Sequence, residues 1–122
     1  MTDYQRIAAD YLNAWNAPDD ASCEERVRAL FSESVSYVDP LVDVQGHDEL
    51  AATIGAVRSQ FPDFAFRLSG QVDGHHRQLR FAWELGPTGA PAPVAGFDVA
   101  VLDDDGRIQQ VRGFLDRVPA QG

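Results

Sequence analysis

The sequence predicts an α+β domain, with three helices in the N-terminal half followed by a mostly antiparallel sheet. Apolar residues recur at helical spacing through most of the first 60 positions and alternate with polar ones from Phe64 onward. The chain is 122 residues long, with no repeat, low-complexity tract or interdomain linker. One domain over residues 1–122 is the reading of that length, and it can bury about two-thirds of the surface its unfolded chain exposes.

Tyr4, Ile7, Ala8, Tyr11, Leu12 and Trp15 form one continuous apolar stripe at helical spacing, which predicts the first helix. Thr2 and Gln5 are placed to cap it as a capping box. Asn16-Ala17-Pro18-Asp19-Asp20 ends it, and the Asp pair can cap a second helix. There Ser22 and Glu25 repeat the capping spacing, and Cys23, Val27, Leu30 and Phe31 form the buried face. The period then changes. Ser34 to Pro40 alternates and stops at proline, as a short strand does, and Val42 to Gly46 is a second extended piece. A third helix is expected from about His47 to Gln60, with Leu50, Ile54, Val57 and Phe61 inward. Asp48 and Glu49 suit the positive end of its dipole.

The rest reads as β. Phe64, Phe66, Leu68 and Val72 alternate with polar residues up to an expected Asp73-Gly74 turn. Leu79, Phe81, Trp83 and Leu85 alternate in a second long strand. A Pro/Gly loop from Gly86 to Pro93 precedes a strand from Val94 to Leu102. Asp103-Asp104-Asp105-Gly106 then turns into a last strand from Arg107 to Arg117. Long twisted strands of mixed character need a partner on their inner face, so a helix-lined pocket is expected.

Charge excludes several functions. There are 10 Lys+Arg against 19 Asp+Glu, and all ten cations are Arg. A net charge of −9 with no basic cluster argues against nucleic acid or an anionic membrane as partner. Without Lys there is no Schiff-base nucleophile and no P-loop lysine. The single Cys23 allows neither a disulfide framework nor a Cys-based zinc site. His47, His75 and His76 lack metal-ligand spacing, so neither metal nor organic cofactor is expected. No apolar run reaches the roughly 18 residues of a membrane span. The N-terminus does not read as a signal peptide, and the expected location is cytoplasmic.

Three side chains carry the chemistry. Asp98 interrupts Val94-Ala95-Gly96-Phe97-Asp98-Val99-Ala100-Val101-Leu102, an otherwise apolar strand. A carboxylate there must be paired, protonated or facing a cavity, since a lone buried charge costs several kcal/mol. Small neighbours on its face, Gly96 and Ala100, leave room for a pocket; a salt bridge to Arg80 or Arg112 is the other reading. Asp39 ends a strand before Pro40, where an ordinary Asp-Pro turn also fits. Tyr11 lies on the buried stripe of the first helix, where a tyrosine is either core or site. Asp103, Asp104 and Asp105 read as turn residues, and Asp19 and Asp20 as caps.

Five segments taken together are similar to a known family. They are Asp10-Tyr11-Leu12-Asn13-Ala14-Trp15-Asn16, Ala29-Leu30-Phe31, Tyr37-Val38-Asp39-Pro40, Gly96-Phe97-Asp98 and Asp104-Asp105-Gly106-Arg107-Ile108. In order and spacing the chain resembles the nuclear transport factor two-like superfamily, and within it the ketosteroid isomerases and SnoaL-type polyketide cyclases. The resemblance implies a cone: a curved, mixed, mostly antiparallel sheet wrapped around three helices, with an apolar pocket at the open end. It also implies a homodimer packed through the sheet.

Placed on this sequence, the isomerase pattern falls on Tyr11, Asp39 and Asp98. Asp39 would be the ionised base, and Tyr11 with a protonated Asp98 would donate hydrogen bonds to an enolate oxygen. The cyclase pattern instead makes the strand carboxylate, Asp98, the acid/base. Isomerases often carry a supporting tyrosine in the third helix where Ile54 stands here, and the Asp39-to-Gly46 connection is short by comparison. In such a cone Trp15, Phe61, Phe81 and Trp83 would line the pocket. The implied function is cofactor-independent acid/base catalysis on a small apolar carbonyl-bearing molecule. The alternative is a non-catalytic binding or assembly module of the same fold.

Overall fold

The computed structural model describes residues 2–119. The first apolar stripe forms α1 (Tyr4–Trp15), which buries Ala8, Tyr11, Leu12, Ala14 and Trp15. Its cap is Asp3, whose carboxylate accepts the Arg6 N–H at 3.0 Å. Asp3 takes the place expected for Thr2 because a carboxylate satisfies a free N–H and also meets the positive end of the helix dipole. Helix α2 (Asp20–Leu30) is capped by Asp19, which accepts the Ser22 N–H at 2.8 Å. That bond holds the Asp19 carboxyl below its ordinary value. The contribution is therefore present above the ordinary carboxylate value of about 4 and lost as pH falls through the lowered one. Asp19→Ala is expected to lower the urea midpoint at pH 7, and the difference from wild type should vanish near pH 2.

Helix α2 runs without a linker into β1 (Phe31–Val38). Phe31, expected as the last helical residue, is extended at φ −103°, ψ 148° and pairs with Ile108. It stays fully buried. The strand pairing decides its conformation, and that partner lies 77 residues away in sequence. After a tight turn, β2 (Asp43–Gln45) folds back antiparallel on β1. Gly46, at φ +84°, lets the chain swing from β2 directly into α3 (Gly46–Gln60). Arg58 of α3 donates to the Ala17 carbonyl at 2.9 Å and to Asp20 at 2.6 Å, which ties α3 to the α1–α2 corner.

The remaining strands are β3 (Phe64–His75), β4 (Gln78–Pro87), β5 (Val94–Leu102) and β6 (Ile108–Arg117). The expected Asp73-Gly74 turn is strand instead; the reversal comes at His76, at φ 52°, and Arg77. Gly74 is needed for close approach: a Cβ there would sit 2.5 Å from the Tyr4 ring, whose hydroxyl donates to the His76 carbonyl at 2.8 Å. The Asp103 turn is as expected, with the carboxylate accepting the N–H groups of Asp105 and Arg107, each at 2.9 Å.

The six strands form one sheet in the order β2-β1-β6-β5-β4-β3. The β1–β6 pair is parallel and all others are antiparallel. This is the mixed, mostly antiparallel α+β cone that the sequence and its resemblance imply. The inner face carries Leu79, Phe81, Trp83 and Leu85 of β4 and Val94, Ala100 and Leu102 of β5. Among the described residues no helix is long and apolar enough to cross a membrane.

Candidate active site

Parity along β5 fixes the site. Asp98 is opposite Phe81 of β4 and Gly113 of β6, in one row across the sheet's inner face. Among the described residues it is the one buried charged side chain, 3% exposed. Arg80 and Arg112 both stand opposite Val99, one residue further along, and so face the other side of the sheet. There Arg80 reaches Asp73 at 3.8 Å and Arg112 reaches the Ser36 hydroxyl at 3.4 Å. No salt bridge to either arginine forms, and Asp98 faces a cavity.

That cavity holds about 550 Å³. Tyr11 and Trp15 enter it from α1, Tyr37 and Asp39 from β1 and its following turn, Trp83 from β4, and Phe61 from the residue just after α3. All three residues singled out as catalytic from the sequence thus line one space. Of the four expected wall residues, Trp15, Phe61 and Trp83 are on it. Phe81 is not. It lies 1% exposed in the core, its ring edge-on to Tyr11 with centroids 4.9 Å apart. It shares the inward parity of Trp83 but sits two residues deeper, where the helices close over the sheet.

Two glycines make room. A Cβ on Gly96 would approach Trp83 Cζ2 to 2.8 Å, so the indole packs against bare backbone there. A Cβ on Gly113 would come within 2.7 Å of Asp98 Oδ1 and 3.3 Å of Asp39 Cβ. The two aspartates therefore meet across a position that must stay empty.

Their environments differ. Asp39 is half-buried and heavily bonded. Oδ2 accepts the Tyr37 hydroxyl at 2.7 Å, while Oδ1 accepts the N–H groups of Leu41 at 2.8 Å and Val42 at 3.0 Å. It closes the turn between β1 and β2, so the Asp-Pro turn and the cavity position are both realised. Asp98 has no such support. Burial pushes its carboxyl up to about 6, opposed by the nearby Tyr11 hydroxyl and Trp83 indole and reinforced by the charge of Asp39. Burial, with Asp98 and Tyr37 alongside, holds the Tyr11 hydroxyl well above its ordinary value. These neighbours come near enough to act on Tyr11, yet its hydroxyl completes no hydrogen bond. Tyr37, 4% exposed, is also raised, chiefly by burial.

Tyr37 and Gln60 are polar cavity residues that the sequence reading passes over, and Tyr37 is the one bonded to Asp39. The signal for Tyr37 was available: it stands two residues before Asp39 at the end of a strand, where alternation puts both on one face. Among the described residues no three His, Cys, Asp or Glu side chains are grouped to hold a metal ion.

A sheet wrapped on three helices, with two carboxylates and a tyrosine lining one apolar cavity, is the arrangement that the resemblance to the nuclear transport factor two-like superfamily implies. The model of the SnoaL-like domain matches residues 8–111, and the chain belongs to that family. Among solved structures it is similar to a SnoaL-like family protein from Agrobacterium tumefaciens, proposed to be an isomerase. The two are 40% identical with a TM-score of 0.90, over 95% of this chain and 99% of that one. A proposed ketosteroid isomerase from Kribbella flavida shares the fold at 16% identity and a TM-score of 0.69, over 98% of this chain and 83% of that one. A proposed polyketide cyclase from Sinorhizobium meliloti does so at 15% identity and 0.69, over 88% and 93%. No match was found among curated proteins.

Proposed function

We propose that this protein is an acid/base catalyst that moves a proton at the carbon next to the carbonyl of a small, uncharged, apolar molecule, with Asp98 as the proton-transferring group. The observation that carries this reading is a buried carboxyl, unpaired by any cation, raised to about 6 at the floor of an apolar cavity. A group with that value is about nine-tenths ionised at pH 7, which suits a general base. Asp39, as the isomerase resemblance would have it, is a poorer choice. Its carboxylate already accepts three hydrogen bonds, which leaves a single lone pair, on Oδ2, free to take a proton. The cyclase pattern, with the strand aspartate as acid/base, agrees better with this geometry.

In the proposed step, Asp98 takes the proton, the C–H pair becomes the enolate double bond, and negative charge gathers on the carbonyl oxygen. Tyr11 donates a hydrogen bond to that oxygen. The proton then returns to a different carbon, giving an isomer. Alternatively, the enolate attacks a second carbonyl and the proton goes to the new alkoxide, giving a ring. Neither course needs a cofactor. Among the described residues the cavity lining contains no arginine, so an uncharged substrate suits it better than one carrying an anionic group.

Planar phenols of graded acidity, which imitate an enolate, test this by calorimetry. Wild-type affinity is expected to fall as pH rises through about 6, where Asp98 becomes charged. Asp98→Asn should abolish that dependence and bind roughly tenfold more tightly at pH 7, a difference of about 1.4 kcal/mol. Absent binding, or binding indifferent to both pH and acidity, would make the protein a holder of apolar ligands instead.

A further inference from the structure

Five of the described residues border two spaces at once. Trp15, Val57, Phe61, Phe66 and Leu85 line the cavity around Asp98, and the same five line a second cleft of about 360 Å³. That cleft lies between the α1–α2 corner (Asn16, Ala17 and Pro18), the end of α3 at Arg58, and the start of β3 at Phe64 and Ala65. None of those six residues lines the first cavity. The five shared side chains are therefore the partition between the two spaces.

Three of the five are braced. Trp15 packs edge-on to Phe66, with ring centroids 5.4 Å apart, and Phe66 edge-on to Trp83 at 5.2 Å. Asn16 donates to the Phe66 carbonyl and accepts the Phe66 N–H, both at 2.8 Å, which fastens the end of α1 to β3. Leu85 is buried in the sheet core. Val57 is short and held within α3. Phe61 is different. It follows the last residue of α3, at φ −127°, ψ 66°, and the proline after it disfavours a helical conformation there. Its backbone is fixed: the N–H donates to the Val57 carbonyl at 3.0 Å and the carbonyl accepts the Phe64 N–H at 3.1 Å. Its ring is half-buried and has one aromatic partner among the described residues, the half-buried Phe64, stacked at 5.2 Å.

We propose that Phe61 is the specificity-determining residue of this site: its ring ends the cavity short of the cleft and so sets the length of carbonyl compound that is fully enclosed. The inference rests on the acid/base reading only for placing the carbonyl end of the ligand beside Asp98. The cleft suits a hydrocarbon tail. The Asn16 amide is taken up by Phe66, and the two Nη groups of Arg58 by the Ala17 carbonyl and Asp20. The Arg58 Nε is closed off from the space. With Phe61 in place, a tail that outgrows the cavity passes the exposed Leu41 and Val118 at the mouth into water, where further methylenes gain little. Without the ring the tail reaches the cleft, and each buried methylene strengthens binding about fourfold.

Acetophenone, 4-butylacetophenone and 4-octylacetophenone share one carbonyl end and carry progressively longer tails. Their affinities are measured by calorimetry with wild type, Phe61→Ala and Phe61→Leu. In wild type, affinity should rise from the first to the second and then level off. Phe61→Ala should bind the octyl ketone tighter than wild type does, by about tenfold or more, and acetophenone within about threefold of wild type. Phe61→Leu should give a smaller gain in the same order, and it replaces the alanine variant should that fail to fold. The terminal methyl of the tail should show nuclear Overhauser contacts to the Ala17 and Ala65 methyl groups, which line the cleft and not the cavity. Unchanged octyl affinity, an equal change for all three ketones, or contacts from the tail to Leu41 and Val118 instead would each overturn the proposal. So would the absence of binding by any of them. Exchange of the acetophenone α-hydrogens in wild type tests the acid/base reading separately. A shifted length preference without exchange leaves the partition standing and removes that reading, and exchange with an unshifted preference does the reverse.

Discussion

Asp98→Asn is expected to reduce α-hydrogen exchange of a bound ketone by roughly 10³-fold, the loss of a positioned general base. Exchange into deuterated water, followed by NMR, measures it. In wild type, kcat/KM should rise with pH through about 6 and level off, because the base works only when ionised. The opposite slope, activity falling above about 6, would assign Asp98 the neutral donor role of the isomerase pattern. Asp39→Asn would then be the inactive variant. The same substitution should act in reverse on stability. A carboxyl raised from 3.8 to about 6 by folding binds its proton more tightly in the native state. Its stabilisation is therefore complete below pH 4 and lost as pH rises through 6, by up to about 3 kcal/mol. Asp98→Asn avoids that loss and should melt at higher temperature than wild type at pH 8. Lower activity with higher stability marks a group kept for chemistry rather than for folding.

Much of this arrangement is legible in the residues, and what is not has a common cause. The stripe from Tyr4 to Trp15 and the alternation of Leu79, Phe81, Trp83 and Leu85 determine local period, and period alone sets which side chains point inward. An aspartate within an apolar strand announces itself by the same rule. Period does not give depth. Phe81 and Trp83 share a face, and only the placement of α1 makes one core and the other cavity wall. Nor does it give register: whether Arg80 stands opposite Asp98 or Val99 depends on pairing across the β4–β5 hairpin. Phe31 leaves its helix for a partner 77 residues on, and Gly74 serves the Tyr4 ring 70 residues back rather than a turn. The bonds that tie Asp39 into its turn are likewise fixed by a loop whose conformation no periodicity describes.

Gly113→Ala is expected to lower exchange activity by about 10²-fold while leaving the fold intact. The effect is one of position, since misplacing a catalytic group by about 1 Å costs that much. Gly113 does not have a positive φ, so its backbone accepts alanine without strain. The difficulty lies in the space above it. A methyl group would meet Asp98 Oδ1 at 2.7 Å and Asp39 Cβ at 3.3 Å. Asp39 cannot retreat without breaking bonds to Tyr37, Leu41 and Val42, so the Asp98 carboxyl must turn away. Both consequences can be measured. The exchange rate should fall with KM little changed, and the rise in activity near pH 6 should move to lower pH, because Asp98 would stand further from the charge of Asp39. A well-folded Gly113→Ala protein with wild-type activity would mean that the meeting of the two carboxylates has no part in the chemistry. Gly113→Ser separates this from a general loss of packing: its side chain is bulkier than alanine's, but its hydroxyl can donate to Asp98. Recovery of rate in the serine variant would show that holding this carboxyl, rather than filling the cavity, is what the glycine protects.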